Sequence, residues 1–458
     1  MNRWYVTLLL LLIAGSRGWC AEPRPNVVLF LADDLGWGDL GCYGHPMIQT
    51  PHLDAFARQG VRLTQCYAAS AVCSPSRAAI LTGRTPYRNG VFTWIQEGAE
   101  LYLRTTERTL PKILREHGYD TCHVGKWHLN GKLNDPSQPQ PNDHGYNWWL
   151  ATQNNAAPSH KNPVNFIRNG RPVGPWEGYS ALLVVDEAIR WLREHRDRSK
   201  PFFLAVWTHE PHLPIETDPR FQRLYAALSD PDLRQHHGNI TQLDHAFGQL
   251  MHALDELKLT ENTFVFFTSD NGPEGSGEKG RARGSTGGLR GRKRSLYEGG
   301  IRVPGLARWP GHISAGRTLD TPVMGTDLFA TVLALAGVKP PQDRVLDGVD
   351  VLPLLTGKKA EVERPVPMFW RLDMAPHNLH LALRQGDWKL LASRDFQKVE
   401  LYNLKEDPRE TVDRRQQDPT HAAALLEQLR KLNAQVEAEG PDWWKYLNPN
   451  GGGPLKKK

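Results

Sequence analysis

Cysteine is scarce, with five residues in a chain of 458. That excludes a disulfide-built scaffold, which is short and dense in cysteine. Beyond the first 21 residues no apolar run approaches the ~20 residues a bilayer span requires. Neither sign of charge dominates: 56 Lys and Arg stand against 50 Asp and Glu, a net charge of +6. The excess is spread along the chain, so the concentrated basic face of a nucleic-acid binder is missing, while small anionic substrates stay open. No internal repeat is evident, which removes solenoids and propellers. What is present is ordinary globular composition, 40% hydrophobic and 23% charged, at a length that suits one large domain with a smaller companion. Aromatic residues lean to Trp, 15 against 14 Phe and 12 Tyr. Such rings suit sugar-facing surfaces and core packing equally.

The chain begins Met1-Asn2-Arg3, continues with an apolar run from Tyr5 to Ala14, and breaks at Gly15-Ser16-Arg17-Gly18. A charged start, a short apolar core and a small-residue exit predict a secretory signal over 1–21, cleaved near Cys20 or Ala21. The bulky Trp19 argues against lipid attachment at Cys20. The mature chain is expected to be exported, in a periplasm, outside the cell or in a lysosomal-type lumen, with no membrane contact once the signal is removed. Export permits disulfides among Cys42, Cys66, Cys73 and Cys122, and spacing does not say which would pair.

Residues 26–32, 201–207 and 262–268 are short, continuous apolar runs, the pattern of strands buried on both faces. Helical patterns over 51–60, 76–84, 108–117, 180–195, 239–258 (beginning at an Asn-Ile-Thr sequon) and 325–337 lie among them, and another strand is expected near 120–124. Alternating buried strands and helices predict an α/β fold with a mostly parallel sheet flanked by helices over 22–364. After Arg364 the pattern changes to antiparallel strands at 380–392, turning at Gln385-Gly386, and at 398–404. A helix at 420–438 follows. This predicts a smaller C-terminal α+β subdomain over 365–445 and a flexible basic tail over 446–458.

Polar residues cluster just after three of the apolar runs, where open α/β sheets bind ligands. Asp33 and Asp34 follow the first, and Asp270 and Asn271 follow the third. Three carboxylates and an amide form a hard oxygen set suited to Ca²⁺, or to Mg²⁺, rather than zinc. Asp and Asn also favour caps and turns, which would explain either pair alone. Cys73-Ser74-Pro75-Ser76-Arg77 reads as the start of a helix. There a thiolate would be stabilised and a tetrahedral oxyanion could bind, with Arg77 reaching back to it. A structural cysteine under a Pro-started helix is the other reading.

The run Cys-x-Pro-x-Arg at 73–77, followed by Ala-x-x-Leu-Thr-Gly-Arg at 78–84, resembles the signature of the sulfatase family. The run from Pro25 to Gly44, Gly125-Lys126-Trp127-His128, Thr208-His209-Glu210-Pro211-His212, Ser269-Asp270-Asn271-Gly272 and Lys293 through Tyr297-Glu298-Gly299-Gly300 to Pro304 resemble the family in the same order. So do Gly386-Asp387-Trp388-Lys389-Leu390 and Leu401-Tyr402-Asn403-Leu404 to Asp407-Pro408. The resemblance spans nearly all of the chain after residue 21.

It implies an alkaline-phosphatase-like catalytic domain and a sulfuric ester hydrolase of arylsulfatase type. A formylglycine-generating enzyme would convert Cys73 to formylglycine. Asp33, Asp34, Asp270, Asn271 and the modified Cys73 would bind calcium. Arg77 would steady the formylglycine, and Lys126 and Lys293 would hold sulfate oxygens. His128 would assist turnover, and His209 would hydrogen-bond the ester or protonate the leaving alcohol. Lys293 sits among Arg290, Arg292 and Arg294, so 279–294 also reads as a basic loop that steers anions. The expected substrate is a sulfated carbohydrate of galactose or N-acetylgalactosamine type, touched by 152–163, 210–214, His377 or His380. A phosphomonoester or phosphonate hydrolase on the same fold, and a non-catalytic glycan-binding relative, are the alternatives.

Overall fold

A computed structural model describes residues 24–441. The expected signal at 1–21 and tail at 446–458 lie outside the described residues. In chain order the strands of a large sheet are β1 (Asn26–Ala32), β2 (Val61–Tyr67), β3 (Asp120–Lys126), β4 (Trp148–Thr152), β5 (Ile167–Arg168), β6 (Arg171–Pro172), β7 (Phe202–Trp207), β8 (Thr263–Ser269), β9 (Arg302–Arg308), β10 (Arg317–Leu319) and β11 (Val323–Met324). A separate antiparallel sheet holds β12 (Met368–Arg371), β13 (Leu381–Gln385), β14 (Trp388–Ala392) and β15 (Val399–Asn403). The large sheet runs β10-β2-β9-β8-β1-β7-β3-β4-β5-β6, with β11 also paired to β2. Its central stretch, β8-β1-β7-β3-β4, is parallel throughout.

The apolar runs form the middle of this sheet because both faces are covered. In β1, Val27, Leu29 and Leu31 join one core and Val28, Phe30 and Ala32 the other. In β7, Phe203, Ala205 and Trp207 alternate in the same way with Phe202, Leu204 and Val206. Side chains on successive residues of a strand point to opposite faces, so a strand covered on both sides reads as one unbroken apolar run.

Sequence patterning does not mark β2, β4, β9 or β12. In β9 the reason is Pro304, which lacks the N–H a central strand needs. The β2–β9 register slips between Leu63 and Cys66, opposite Pro304, and this irregularity accommodates the missing donor. The helix expected over 239–258 starts eight residues earlier, at Pro231, and ends at Glu256. Asp230 caps it by accepting from the N–H groups of Asp232 and Leu233, with proline in the first turn. The sequon residue Asn239 therefore lies buried inside this helix. The helix expected over 180–195 spans Ser180–Arg190 and continues as a wider turn, Trp191–His195.

An apolar core and a buried ion cluster are among the contacts that join the two sheets. Ala71, Val72 and Ala79 share a core with Met368, Trp370 and Leu391 of the small sheet. A buried ion cluster crosses the same junction. Lys389 of β14 lies 2.9 Å from carboxylate oxygens of both Glu298 and Glu410, all three side chains being fully buried. The Tyr67 hydroxyl donates to Glu298 at 2.6 Å, and Glu410 accepts from the Glu298 amide at 2.7 Å. Burial raises the Glu410 pKa to about 7, against Lys389 and with Glu298. The folded state thus holds this proton more tightly than the unfolded chain. The resulting stability is complete below about pH 4.5 and lost as pH rises through about 7. Removing the shared cation by Lys389→Met leaves two buried carboxylates facing each other, at a cost of about 3–5 kcal/mol. The urea midpoint is expected to fall more at pH 8 than at pH 5, where Glu410 takes up a proton.

Candidate active site

Parallel pairing of β8, β1, β7, β3 and β4 puts their carboxyl ends along one edge. The residues that follow them are neighbours for that reason alone: Asp270 and Asn271 after β8, Asp33 and Asp34 after β1, His209 after β7, Lys126 and His128 at the end of β3, and Thr152 closing β4. Backbone bonds carry the pairing past the strands. Asp270 donates to Ala32 O at 3.2 Å, Asp33 to Glu210 O at 3.0 Å, and His128 to Gln153 O at 2.7 Å. Helix α1, the helix Cys73–Thr82, begins at Cys73 and delivers it to this edge.

Three fully buried carboxylates meet three cations here. Lys126 Nζ is 2.6 Å from Asp33, and Lys293 Nζ is 2.8 Å from Asp34. Arg77 donates through Nε and Nη2 to Asp270 Oδ2 at 2.9 and 2.7 Å, and through Nη1 to the Lys126 carbonyl at 3.0 Å. Arg77 therefore ties α1 to β8 and β3. Burial would raise Asp33, but Lys126, His212, Arg77 and Lys293 together hold it well below the usual carboxylate range. Burial raises Asp34 to about 6 against the pull of Lys293. Burial and the neighbouring Asp33 raise Asp270 to about 7 despite Arg77. At Asp34 and Asp270 burial thus outweighs the neighbouring cations.

Asn271 completes the picture. Its Nδ2 donates to Asp34 at 2.6 Å and to Gly272 O at 2.8 Å, while its buried Oδ1 has no partner. An orphaned amide oxygen beside three carboxylates fits a hard divalent cation. Ligand atoms of Asp33, Asp34, Cys73 and His212 all lie within 4.8 Å of one another.

Cys73 departs from one expectation. It does stand at a helix start, with Sγ 3.6 Å from Asp33. Burial, however, pushes its thiol well above the ordinary range, against Lys126 and Lys293. Desolvation outweighs the helix end, so the unmodified side chain is a neutral thiol and a poor nucleophile.

The two histidines have defined proton positions. His128 Nε2 meets the Ile95 carbonyl at 2.9 Å. A carbonyl only accepts, so Nε2 carries the proton and the buried, unpartnered Nδ1 carries the lone pair. His209 Nε2 meets Thr152 Oγ1 at 2.8 Å, and its Nδ1 is likewise buried without a partner. Burial holds both imidazoles neutral, with pKa values well below the usual histidine range.

His212 and Glu274 belong to the constellation; in the sequence His212 reads only as part of the 208–212 run and of the 210–214 segment, and Glu274 is not singled out. His212 Nε2 is 3.7 Å from Asp34 and 3.8 Å from Glu274. Glu274 lies 3.7 Å from Lys293 and 2.9 Å from Arg294. Burial opposes its ionisation, but Lys293, His212 and Arg294 lower it to about 2. His212 follows His209 by three residues, and that spacing was the available signal. The 152–163 segment is not a free loop: Thr152 belongs to β4, and Gln153 and His160 are buried. His377 lies outside the carboxylate cluster, its ring 6.3 Å from Tyr297; His380 follows on the small-sheet side and donates its backbone N–H to Ala392 O.

Residues 25–338 match the family model Sulfatase, and residues 291–438 match the model N-sulphoglucosamine sulphohydrolase, C-terminal. The N-acetylgalactosamine-6-sulfatase of Canis lupus familiaris is 35% identical over 383 residues, covering 78% of this chain and 71% of that protein. The steryl-sulfatase of Homo sapiens is 31% identical over 443 residues, covering 78% and 74%. The crystal structure of Ps i-CgsB in complex with k-i-k-neocarrahexaose superposes with a TM-score of 0.80 at 27% identity, over 91% of this chain and 94% of that one.

Arg77→Met would strand the buried Asp270 carboxylate, and a loss of about 3–5 kcal/mol in unfolding free energy is expected. Arg77→Lys restores the charge without the two-pronged contact and should recover only part of that loss in urea unfolding.

Proposed function

The chain belongs to the sulfatase family and is a sulfuric ester hydrolase; from that premise we propose that it removes sulfate from a carbohydrate of galactose or N-acetylgalactosamine type. The catalytic unit would be 22–364, with 365–445 as its companion, in an exported protein. The observation that carries this reading is the single strand edge that gathers Asp33, Asp34, Asp270, Asn271 and Cys73 between Lys126 and Lys293. Kinship with an N-acetylgalactosamine-6-sulfatase supports the sugar class, as does structural likeness to a protein solved with k-i-k-neocarrahexaose.

Asp33, Asp34, Asp270 and Asn271, with residue 73, would hold a calcium ion. The oxygen donors and the orphaned Asn271 Oδ1 suit it. Such an ion supplies positive charge to the bound sulfate. Formylglycine made from Cys73 by its maturation enzyme supplies, as a hydrate, one hydroxyl to attack sulfur and a second to expel sulfate.

The chain's own side chains then have separable tasks. Lys126 and Lys293 each spend part of their donor capacity on a carboxylate, and an ammonium has three donors. The remaining N–H groups are available to sulfate oxygens. Arg77 holds Asp270 and the end of β3 in place. His128, with its lone pair at Nδ1, accepts a proton during release of sulfate, while its Nε2 stays anchored to Ile95. His209, neutral in the resting enzyme, is protonated as the anionic ester binds and then gives that proton to the departing alcohol. Burial of the cluster keeps bulk water from screening these charges.

Protein produced in a host with the maturation enzyme should show formylglycine in the tryptic peptide Leu63–Arg77 by mass spectrometry. It should release sulfate from 6-sulfated galactose or N-acetylgalactosamine in preference to matched phosphate esters, and to aryl or steryl sulfates. Cys73→Ala should lose about 10³-fold or more in kcat. An intact thiol alongside a sister sulfatase that is converted would sink the catalytic reading. Removal of metal by a chelator should lower both activity and the unfolding midpoint. Calcium at about a hundred times its Kd should return about 2.7 kcal/mol of stability, and a larger return with magnesium at the same concentration would reassign the ion.

A further inference from the structure

Thr152 closes β4 and is fully buried beside His209. Parallel pairing places it in register with Lys126, and Trp127 donates its backbone N–H to Thr152 O at 3.0 Å. The Thr152 hydroxyl faces two groups. One is the Asn154 carbonyl, at 2.7 Å; the other is His209 Nε2, at 2.8 Å. A hydroxyl has one proton to give, and a carbonyl oxygen can only accept. The Thr152 proton therefore goes to Asn154 O, and Thr152 Oγ1 accepts from His209 Nε2–H. The neutral ring then carries its lone pair on Nδ1, the nitrogen left buried and unpartnered. The ring is held from its sides as well. Phe166 meets it edge to face at 5.7 Å, and the His209 backbone N–H donates to Glu210 Oε2 at 3.2 Å.

We propose that Thr152 is a positioning residue that locks His209 in the Nε2–H tautomer, so that Nδ1 is the atom that hands the proton to the leaving alcohol. This rests on the reading of His209 as that proton donor. As the ester S–O bond breaks, its electron pair goes to the alcohol oxygen. The ring takes a proton at Nδ1 from solvent as the anionic ester enters, its negative charge favouring the imidazolium; the attacking hydroxyl releases its own proton to solvent as its oxygen bonds to sulfur, the Nδ1 proton moves to the alcohol oxygen, and the lone pair returns to Nδ1. Throughout, Nε2–H stays on Thr152, and Thr152 stays on the Asn154 carbonyl. The chain of two hydrogen bonds therefore ends on backbone and stabilises the imidazolium without placing another carboxylate in the site. Sequence pattern alone does not reveal this pairing, because Thr152 and His209 are brought together only by the strand order.

Leaving-group dependence separates this role from simple packing. A proton donor matters for a sugar alkoxide, which leaves poorly, and little for a nitrophenolate, which leaves without help. Thr152→Val keeps the shape and removes the hydroxyl. It is expected to lose about 10²-fold in kcat on a 6-sulfated sugar while changing 4-nitrophenyl sulfate turnover less than about 5-fold, within the context-dependence of such effects. Thr152→Ser should restore the sugar rate to near wild type. His209→Gln should lower both rates, with the larger loss on the sugar sulfate. Equal losses on both substrates, or none on either, for Thr152→Val beside a split in His209→Gln would overturn the role of Thr152 alone. Absence of a split in His209→Gln would overturn the reading of His209 and the inference with it. Nitrogen-15 spectra of the full chain labelled at histidine give a measurement that needs no variant at residue 152, with His209→Gln serving to assign the signal. An imine-type Nδ1 beside a protonated Nε2 is expected, and the reverse assignment would overturn the proposal.

Discussion

Three carboxylates, fully buried at one end of a parallel sheet, set the terms for everything around them. Ionised carboxylates out of water are costly unless charge and hydrogen bonds compensate them. Each of the three has its own cation: Lys126 for Asp33, Lys293 for Asp34 and Arg77 for Asp270. These cations come from three distant parts of the chain. The electrostatic demand at the strand edge thus dictates where the end of β3, helix α1 and the long loop before Glu298 must sit. At Asp34 and Asp270 burial outweighs the neighbouring cations and raises the pKa, while the buried Asn271 Oδ1 beside them has no partner. A divalent ion placed among them would strengthen both the fold and the site.

The loop bearing Lys293 has its own support from the small sheet. Arg290 donates to the Tyr402 hydroxyl at 2.9 Å and to Glu410 O at 2.8 Å. Tyr297 donates to Glu400 at 2.5 Å, and Glu298 enters the Lys389 cluster. One of the two lysines at the site is thus held in place by residues far along the chain. The C-terminal sheet acts on the site through this loop and contributes no ligand of its own to the carboxylate cluster.

Much of this was legible in the sequence. The runs at 26–32, 201–207 and 262–268 read as buried strands because β1, β7 and β8 are apolar on both faces, and their polar exits located the carboxylates and His209. The hairpin at Gln385-Gly386 was legible because Gly386 takes a positive φ between β13 and β14. Other features depend on partners that sequence does not display. Strand β9 hides behind Pro304 and Gly305, and only the register slip in β2 makes it acceptable. The thiol of Cys73 was expected to be stabilised as an anion by a helix end, but how deeply it is buried is a property of the assembled core. Thr152 and Glu274 matter through what stands opposite them, so their residue types gave no hint.

The position of Cys73 also bears on the order of events while the chain is being made. Ala71, Val72 and Ala79, on either side of it, pack against Met368, Trp370 and Leu391, which leave the ribosome long after residue 73 does. Until that late sheet docks, the roof over the Cys73 segment is missing. On the proposal that Cys73 is converted to formylglycine, an enzyme reaching it before the sheet docks would have an interval set by translation and docking rates. A variant that docked its C-terminal sheet unusually fast would shorten this interval, trading quick folding against complete maturation. Speed of closure, as well as final stability, is thus a quantity on which selection can act in this protein.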